Sequence, residues 1–439
     1  MPFYTNYLTA RDYGFADMIT TTVTLLVLAL PLDIMDGIVP YIADDNYDNS
    51  EVFSIGFKYV MSASVLLLVV LIVIHESPFI TVEPYYLFFL FLLFILDVIG
   101  RLSTNYLQIQ NHVLHVSIAN ILHTLTMVCL NIYLIVYCKW GISGYLIAMI
   151  GGVFVSVVYQ IFIILTKAPV RIRIYKLDKK LEKSLLLFSF PLMLNSIFWW
   201  FNTSLDKYFI VLICGAAENG IYSVATKLPT IITVIMTVFS QAWGLTAITE
   251  YDKNDKDGFF GNTYEAVNAL MVLMCSLLII FIIPLARLLF AKEFLSAWRP
   301  ALFLILSGVF SSLSSFVGSI FSAVKSSSSY MKSTIIAALV NIVLNAILIN
   351  SIGILGASIA TAVSFFVVWI IRYLLASKYI NWKIRIKTHL LEYGLLVIQI
   401  VLSLLQSHFY PLQMIILTLL FVLNSRYVLM IARKILGAN

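Results

Sequence analysis

The chain has 439 residues, of which 61% are hydrophobic and only 11% charged, with a net charge of +6 and a mean hydropathy of +0.97. A soluble domain of this length cannot hide that much apolar surface, so lipid must solvate most of the chain. The apolar runs are continuous over roughly 18–29 residues rather than alternating, which excludes a β-barrel and leaves an all-α polytopic membrane protein. The charge is not a nucleic-acid signature either, because the basic residues lie mostly in loops between the apolar runs.

Complete spans are predicted at 14–42, 53–75, 79–98, 112–138, 141–166, 185–213, 219–247, 264–291, 297–324, 331–351, 353–377, 390–407 and 409–433. Residues 1–10 read as the tail of one more. The longest stretch between spans, 167–184, carries Lys167, Arg171, Arg173, Lys176, Lys179, Lys180 and Lys183 and reads as a linker joining two halves. The expected domains are an N-terminal lobe at 1–166, this linker, a C-terminal lobe at 185–389 and two accessory helices within 390–439. Lys and Arg counts put the linker in the cytoplasm, together with the loops near Arg101, Lys253/Lys256, Lys325/Lys332, Lys378–Lys387 and Arg433/Lys434. The opposite side keeps Arg11, Lys139, Arg287, Lys292 and Arg299. The loop at 43–51 dissents: it falls inside, yet carries Asp44, Asp45, Asp48 and Glu51 and no basic residue.

Two phrases recur. Asp12-Tyr13-Gly14-Phe15 is echoed by Glu218-Asn219-Gly220-Ile221, and Gly141-Ile142-Ser143-Gly144 by Gly353-Ile354-Leu355-Gly356, at offsets of 206 and 212 residues. A duplicated bundle of membrane helices is the usual build of a transporter. Six spans per half would make the halves parallel. The first half shows five and a stub, so the expectation is that the first helix is incomplete and about one span's length, some twenty residues, precedes Met1.

Ionisable groups inside spans are functional suspects by default. Asp206 and Lys207 lie in one span and Lys227 in the next, about ten residues on either side of a turn near residue 216. Asp206 and Lys227 pair across this hairpin and pin two helices, or the three line a hydrophilic cavity, or these groups snorkel to the outer interface. In that second case Lys207 and Lys227 offer cations to an anionic substrate, and Asp206 binds a coupling ion. Asp33 and Asp36 share a helix face near an inner end and are further ion-coupling candidates, unless the helix simply ends there. Asp97 and Arg101, four apart, suit a local salt bridge. Lys58 and Arg372 are expected to snorkel to the inner interface. Trp199, Trp200 and Phe201 with Asn195 and Asn202, and Trp243 with Gln241, are either packing and lipid anchors or a surface for stacking and hydrogen-bonding sugar rings. Cys129, Cys138, Cys214 and Cys275 have no paired spacing, and no metal-ligand cluster, cofactor motif or catalytic triad order is present, so no enzyme is predicted.

Several of these segments resemble the bacterial polysaccharide repeat-unit flippases, the O-antigen and capsule exporters of the multidrug/oligosaccharidyl-lipid/polysaccharide superfamily. They are Phe190-Pro191-Leu192-Met193-Leu194-Asn195, Asn202-Thr203-Ser204-Leu205-Asp206-Lys207-Tyr208, Gly220 to Pro229, and Phe239-Ser240-Gln241-Ala242-Trp243. Asn341 to Asn345 and Gly353 to Ala357 are similar to the family's later helices. The resemblance implies two parallel six-helix lobes around a central cavity, plus two C-terminal helices, in the bacterial inner membrane; the charge bias places the C-terminus in the cytoplasm. It implies flipping of an undecaprenyl-diphosphate-linked oligosaccharide from inner to outer leaflet by alternating access, with proton or sodium coupling and with a polysaccharide polymerase as downstream partner. The alternative is a cation-coupled drug or small-molecule antiporter of the same superfamily, against which Lys207 and Lys227 weigh.

Overall fold

The computed structural model describes residues 2–44, 46–77, 83–173, 177–324, 326–405 and 410–435. It is 86% helical, with no strand among the described residues. In chain order, α1 is Pro2–Tyr7, and α2 (Ala10–Ala29), α3 (Ile34–Gly37) and α4 (Val39–Ile42) fill the first predicted span. Next come α5 (Asn49–Glu76), α6 (Pro84–Ile109), α7 (Val113–Asn131) with a π-helical end at Ile132–Tyr137, and α8 (Gly141–Lys167). The second half holds α9 (Lys179–Ser204), α10 (Asp206–Cys214), α11 (Ala216–Ala225), α12 (Thr230–Thr249), α13 (Phe259–Ile280) and α14 (Ile282–Leu289). After a 3-10 segment at Lys292–Ala297 it closes with α15 (Trp298–Ala323), α16 (Ser327–Ile352), α17 (Ile354–Ala376), α18 (Ile386–Leu404) and α19 (Tyr410–Ile435). Among the described residues, 11 helices are long and apolar enough to cross a membrane, or up to 13 when two bent pairs count as single spans. The protein is a multi-pass α-helical membrane protein. Lys176 and Lys325, counted in the charge bias, lie outside the described residues, as do the side chains of Arg433 and Lys434.

The helices form two compact units, residues 7–200 and residues 201–439 with 1–6. The described residues of the 167–184 linker fall in the first unit. Glu182 accepts from Lys58 Nζ at 2.7 Å and Tyr59 Oη at 2.8 Å. Arg173 pairs with Asp48 at 3.1 Å, and the Asp178 N–H donates to Glu51 at 2.7 Å. The acidic loop that broke the charge rule is thus the counter-charge of the basic linker, and both lie on one face. Lys58, expected near an inner end, forms an ion pair with Glu182.

In the 7–200 unit, α6 packs against α2, α5 and α8, and α7 lies along α8. Val23, Ile34, Ile38, Val52, Phe94 and Leu102 are among its core residues. The helix runs to Ile109, eleven residues past its predicted end. Arg101, Thr104 and Asn105 lowered the hydropathy there, but protein groups satisfy them, so the helix has no reason to stop. In the 201–439 unit, α15 is central, packed along α12, α13 and α17. The apolar window of Lys292–Phe321 is 83% buried, against 11% for Val113–Tyr137, so the first is a core helix and the second faces lipid. The accessory helices are pinned to α13 by buried polar ties. Glu265 meets Arg385 at 2.7 Å and His389 at 3.1 Å, and Glu392 accepts from Asn268 and Asn424, each at 2.8 Å.

The repeat has a backbone cause. α2 begins at Ala10 and α11 at Ala216, the same 206-residue offset, and both helices open bent spans, by 48° and 51°. Gly141 and Gly353 open α8 and α17 with φ of +54° and +62°. Only glycine enters that region at little cost, particularly with the ψ of −143° found at Gly353. Three residues on, a Cβ at Gly356 would run into the Leu348 carbonyl, so the α16–α17 hairpin closes only over glycine. Gly356→Ala is expected to cost about 1–3 kcal/mol, as overpacking does, and thermal melting of the purified protein measures it.

Candidate functional site

In the 201–439 unit the site begins at Gly215, whose φ of +94° turns α10 sharply into α11. Asp206 lies nine residues before this turn and Tyr222 seven after, so they share a depth on adjacent helices. Asp206 is 2% exposed. Its carboxyl accepts from the Tyr222 hydroxyl, and Thr361 Oγ1 of α17 lies 3.2 Å away. The Lys207 N–H donates to Oδ1 at 2.9 Å. One turn earlier, Asn202 Nδ2 donates to the Thr334 carbonyl at 3.2 Å, and Ser364 Oγ lies 2.6 Å from Asn202 Oδ1. Asn202 and Asp206, four apart, therefore present one polar face to α16 and α17.

The cross-hairpin tie expected of Asp206 does form, but Tyr222 makes it instead of Lys227. Lys227 stands twelve residues past the turn, at the break between α11 and α12, and is exposed, whereas Asp206 is sealed in the helix interface. Lys207, next in sequence, points off that face and is half-buried.

Sequence reasoning missed Arg372. It is fully buried rather than snorkelling. Its guanidinium donates to the Ser314 carbonyl at 2.9 Å, Ser333 Oγ at 3.1 Å and Thr334 Oγ1 at 3.1 Å, and stacks on Tyr330 at 3.9 Å. Gly318 makes room, since a Cβ there would meet the Tyr330 ring. Serines and threonines one turn apart on α15 and α16 are the available signal: in an apolar span they mark a face that turns inward.

In the 7–200 unit the bend after α2 carries the charge. Leu32 and Asp33 adopt φ of +56° and +49°, conformations that cost about 1–3 kcal/mol each for residues other than glycine unless the surroundings impose them. The surroundings are on α6 and α9. Arg101 holds Asp36 in a fork, with Nη2–Oδ2 at 2.5 Å and Nε–Oδ1 at 3.3 Å, and Nη2 lies 3.2 Å from Asp33. Ser196 Oγ donates to Asp33 at 3.0 Å, and Asn105 Nδ2 to Asp36 at 2.9 Å. Arg101 thus serves Asp33 and Asp36 rather than Asp97, the partner expected from spacing. A helix bend brings Asp33 and Asp36 to it, and such a bend leaves no trace in i, i+4 patterns. Asp97 faces a cavity of about 390 Å³ together with Arg101, Thr104, Asn120, His123 and Gln160. Gln160 Nε2 donates to Thr104 at 3.0 Å, while its Oε1 accepts from nothing among the described residues.

The aromatic candidates separate. Trp200 is buried, its Nε1 donating to Thr24 at 3.1 Å. Trp243 is buried and stacked on Phe316 at 4.4 Å, its Nε1 donating to Ser319 at 2.7 Å, a packing role. Asn195 is half-buried, with Oδ1 accepting from nothing among the described residues. The Gln241 side chain lies outside the described residues.

The family described as "Polysaccharide biosynthesis protein" matches residues 1–243, more than half of the chain. The chain belongs to the polysaccharide biosynthesis protein family. Among curated family relatives, it is 26% identical over 193 residues to the "Probable low-salt glycan biosynthesis flippase Agl15" of Haloferax volcanii. That alignment takes in 42% of this chain and spans only 40% of the relative's length. Solved structures show that this family member has the fold of superfamily transporters. The lipid II flippase MurJ, in an inward closed conformation, superposes with a TM-score of 0.70 at 14% identity, covering 99% of this chain and 95% of MurJ. An inward-facing multidrug resistance MATE transporter of the MOP superfamily superposes at 0.67 and 13% identity, covering 86% of this chain and 93% of that one.

Proposed function

We propose that this protein moves the head group of an undecaprenyl-diphosphate-linked oligosaccharide from the inner to the outer leaflet of the bacterial plasma membrane, for cell-surface polysaccharide synthesis. The observation that carries this reading is the family match over residues 1–243, supported by a relative named as a glycan biosynthesis flippase. The chemistry agrees with it. A diphosphate and its sugars cannot enter hydrocarbon, whereas a polyprenyl tail stays there at no cost. Alternating access carries such a head group past a lining of cations and hydrogen-bonding groups.

In the 201–439 unit the candidates for this lining are Lys207, Lys227 and Asn202; in the 7–200 unit they are Asn195, Trp200 and the Asp97–Gln160 cavity, which offers amides and hydroxyls suited to sugar. Asp206 is the first candidate for a coupling proton or sodium ion, because a buried carboxyl ringed by hydroxyls changes partners when its charge is met. Asp33 and Asp36 are the second, already matched by Arg101. The linker and C-terminus are assigned to the cytoplasm, and a polysaccharide polymerase takes the product.

Leaflet sidedness of the lipid-linked oligosaccharide in a deletion strain tests the proposal. Accumulation in the inner leaflet is expected, and an undisturbed distribution refutes it. The MATE-like fold keeps a drug antiporter as the second reading. Raised drug susceptibility with normal leaflet distribution would favour it.

A further inference from the structure

A cavity of about 820 Å³ opens in the 201–439 unit, apart from the Asp206 and Arg372 clusters. Its wall is made from one end of six elements: the last turns of α13 and α18, α14, the 3-10 segment at Lys292–Ala297, and the first turns of α15 and α19. Arg287 and Arg299 both line it, and among the described residues neither makes an ion pair. The charge count assigns only Arg11, Lys139, Arg287, Lys292 and Arg299 to this membrane face, so two of its few cations meet at one cavity. Trp298 and Tyr410 line the same cavity, and such aromatic residues are frequent at a membrane interface. Gln413, 6% exposed, lies on the wall with Nε2 on Ser403 at 3.1 Å and with Oε1 accepting from nothing among the described residues. Below the arginines the wall is apolar, with Ile279, Ile283 and Leu402.

We propose that this cavity binds a glycerophospholipid of the outer leaflet. Its phosphate is held between the guanidiniums of Arg287 and Arg299, its glycerol or headgroup hydroxyls face Gln413 and Ser296, and an acyl chain covers the isoleucines. Two unpaired guanidiniums are matched by a tetrahedral phosphate, and the apolar wall beneath them calls for a ligand that is also a lipid. The site lies where α18 and α19 dock on α13 and α15, so the lipid bridges the accessory helices to the rest of the unit. The inference does not depend on which substrate the protein moves.

Native mass spectrometry of the full-length protein in detergent tests it, with dioleoyl phosphatidylglycerol as probe and dioleoylglycerol as the phosphate-free control. One phosphatidylglycerol should be retained per chain and no dioleoylglycerol. The Arg287→Ala/Arg299→Ala variant should bind about tenfold or more weakly, the worth of one lost hydrogen bond to a charged group. Both side chains are exposed, so melting temperature should be unchanged. Ile283→Trp, which fills the apolar wall and keeps both cations, should weaken binding as well. Undiminished retention by either variant, equal retention of dioleoylglycerol, or inorganic phosphate binding as tightly as the lipid overturns the proposal.

Discussion

Replacing Asp206 with asparagine is expected to slow flipping of the lipid-linked oligosaccharide by about 10- to 100-fold, the equivalent of the 1.5–3 kcal/mol carried by hydrogen bonding to a charged group. The protein should still fold. Asparagine has nearly the same shape, and its amide oxygen still accepts from Tyr222 and stays within reach of Thr361, so α10, α11 and α17 remain tied. What disappears is the charge, with the capacity to take up a cation or proton during the cycle, together with the Oδ1 acceptor of the Lys207 N–H. Tyr222→Phe makes the complementary test: it keeps the carboxylate and strips one hydroxyl, so it should lower activity less than Asp206→Asn. Flipping in everted vesicles from a deletion strain carrying each variant reads both. If Asp206→Asn transports within twofold of the parent at normal expression, the carboxyl is only a helix tie and the coupling role falls.

Arg372→Ala is expected to destabilise the 201–439 unit by about 3–5 kcal/mol, combining a large cavity with stranded hydrogen-bonding groups. The guanidinium is the junction of α15, α16 and α17, donating in three directions and stacking on Tyr330. Lysine should rescue little, because an ammonium on a flexible stem cannot reproduce the planar fork. Methionine fills most of the volume and should recover more stability than lysine, since it carries no charge into the interior. Thermal melting of the purified variants ranks them. A smaller loss for alanine than for methionine would show that packing is not the dominant cost.

Both residues mark where one-dimensional reasoning stops. Arg372 stands in an apolar run near an inner end, and a sequence alone cannot distinguish an arginine reaching out to the interface from one turned inward. The difference lies in Ser314, Ser333 and Thr334, which are 58, 39 and 38 residues away in the chain and become neighbours only after helix packing. Arg101 is similar: spacing favours Asp97, but the bend at Leu30–Asp33 swings two other carboxylates onto it.

The sequence by itself determined the solvent, the helical class, the position of nearly every span, and the glycines that open α8 and α17. These follow from local chemistry: run length against bilayer thickness, and the φ values that only glycine enters easily. It also marked Asp206, Asp33 and Asp36 as costly residues within spans. Tertiary structure alone decided their partners, because a buried polar group takes whichever donor packing brings within about 3 Å. A helix turn or bend of a few residues moves that choice from Lys227 to Tyr222, and from Asp97 to Asp33 and Asp36.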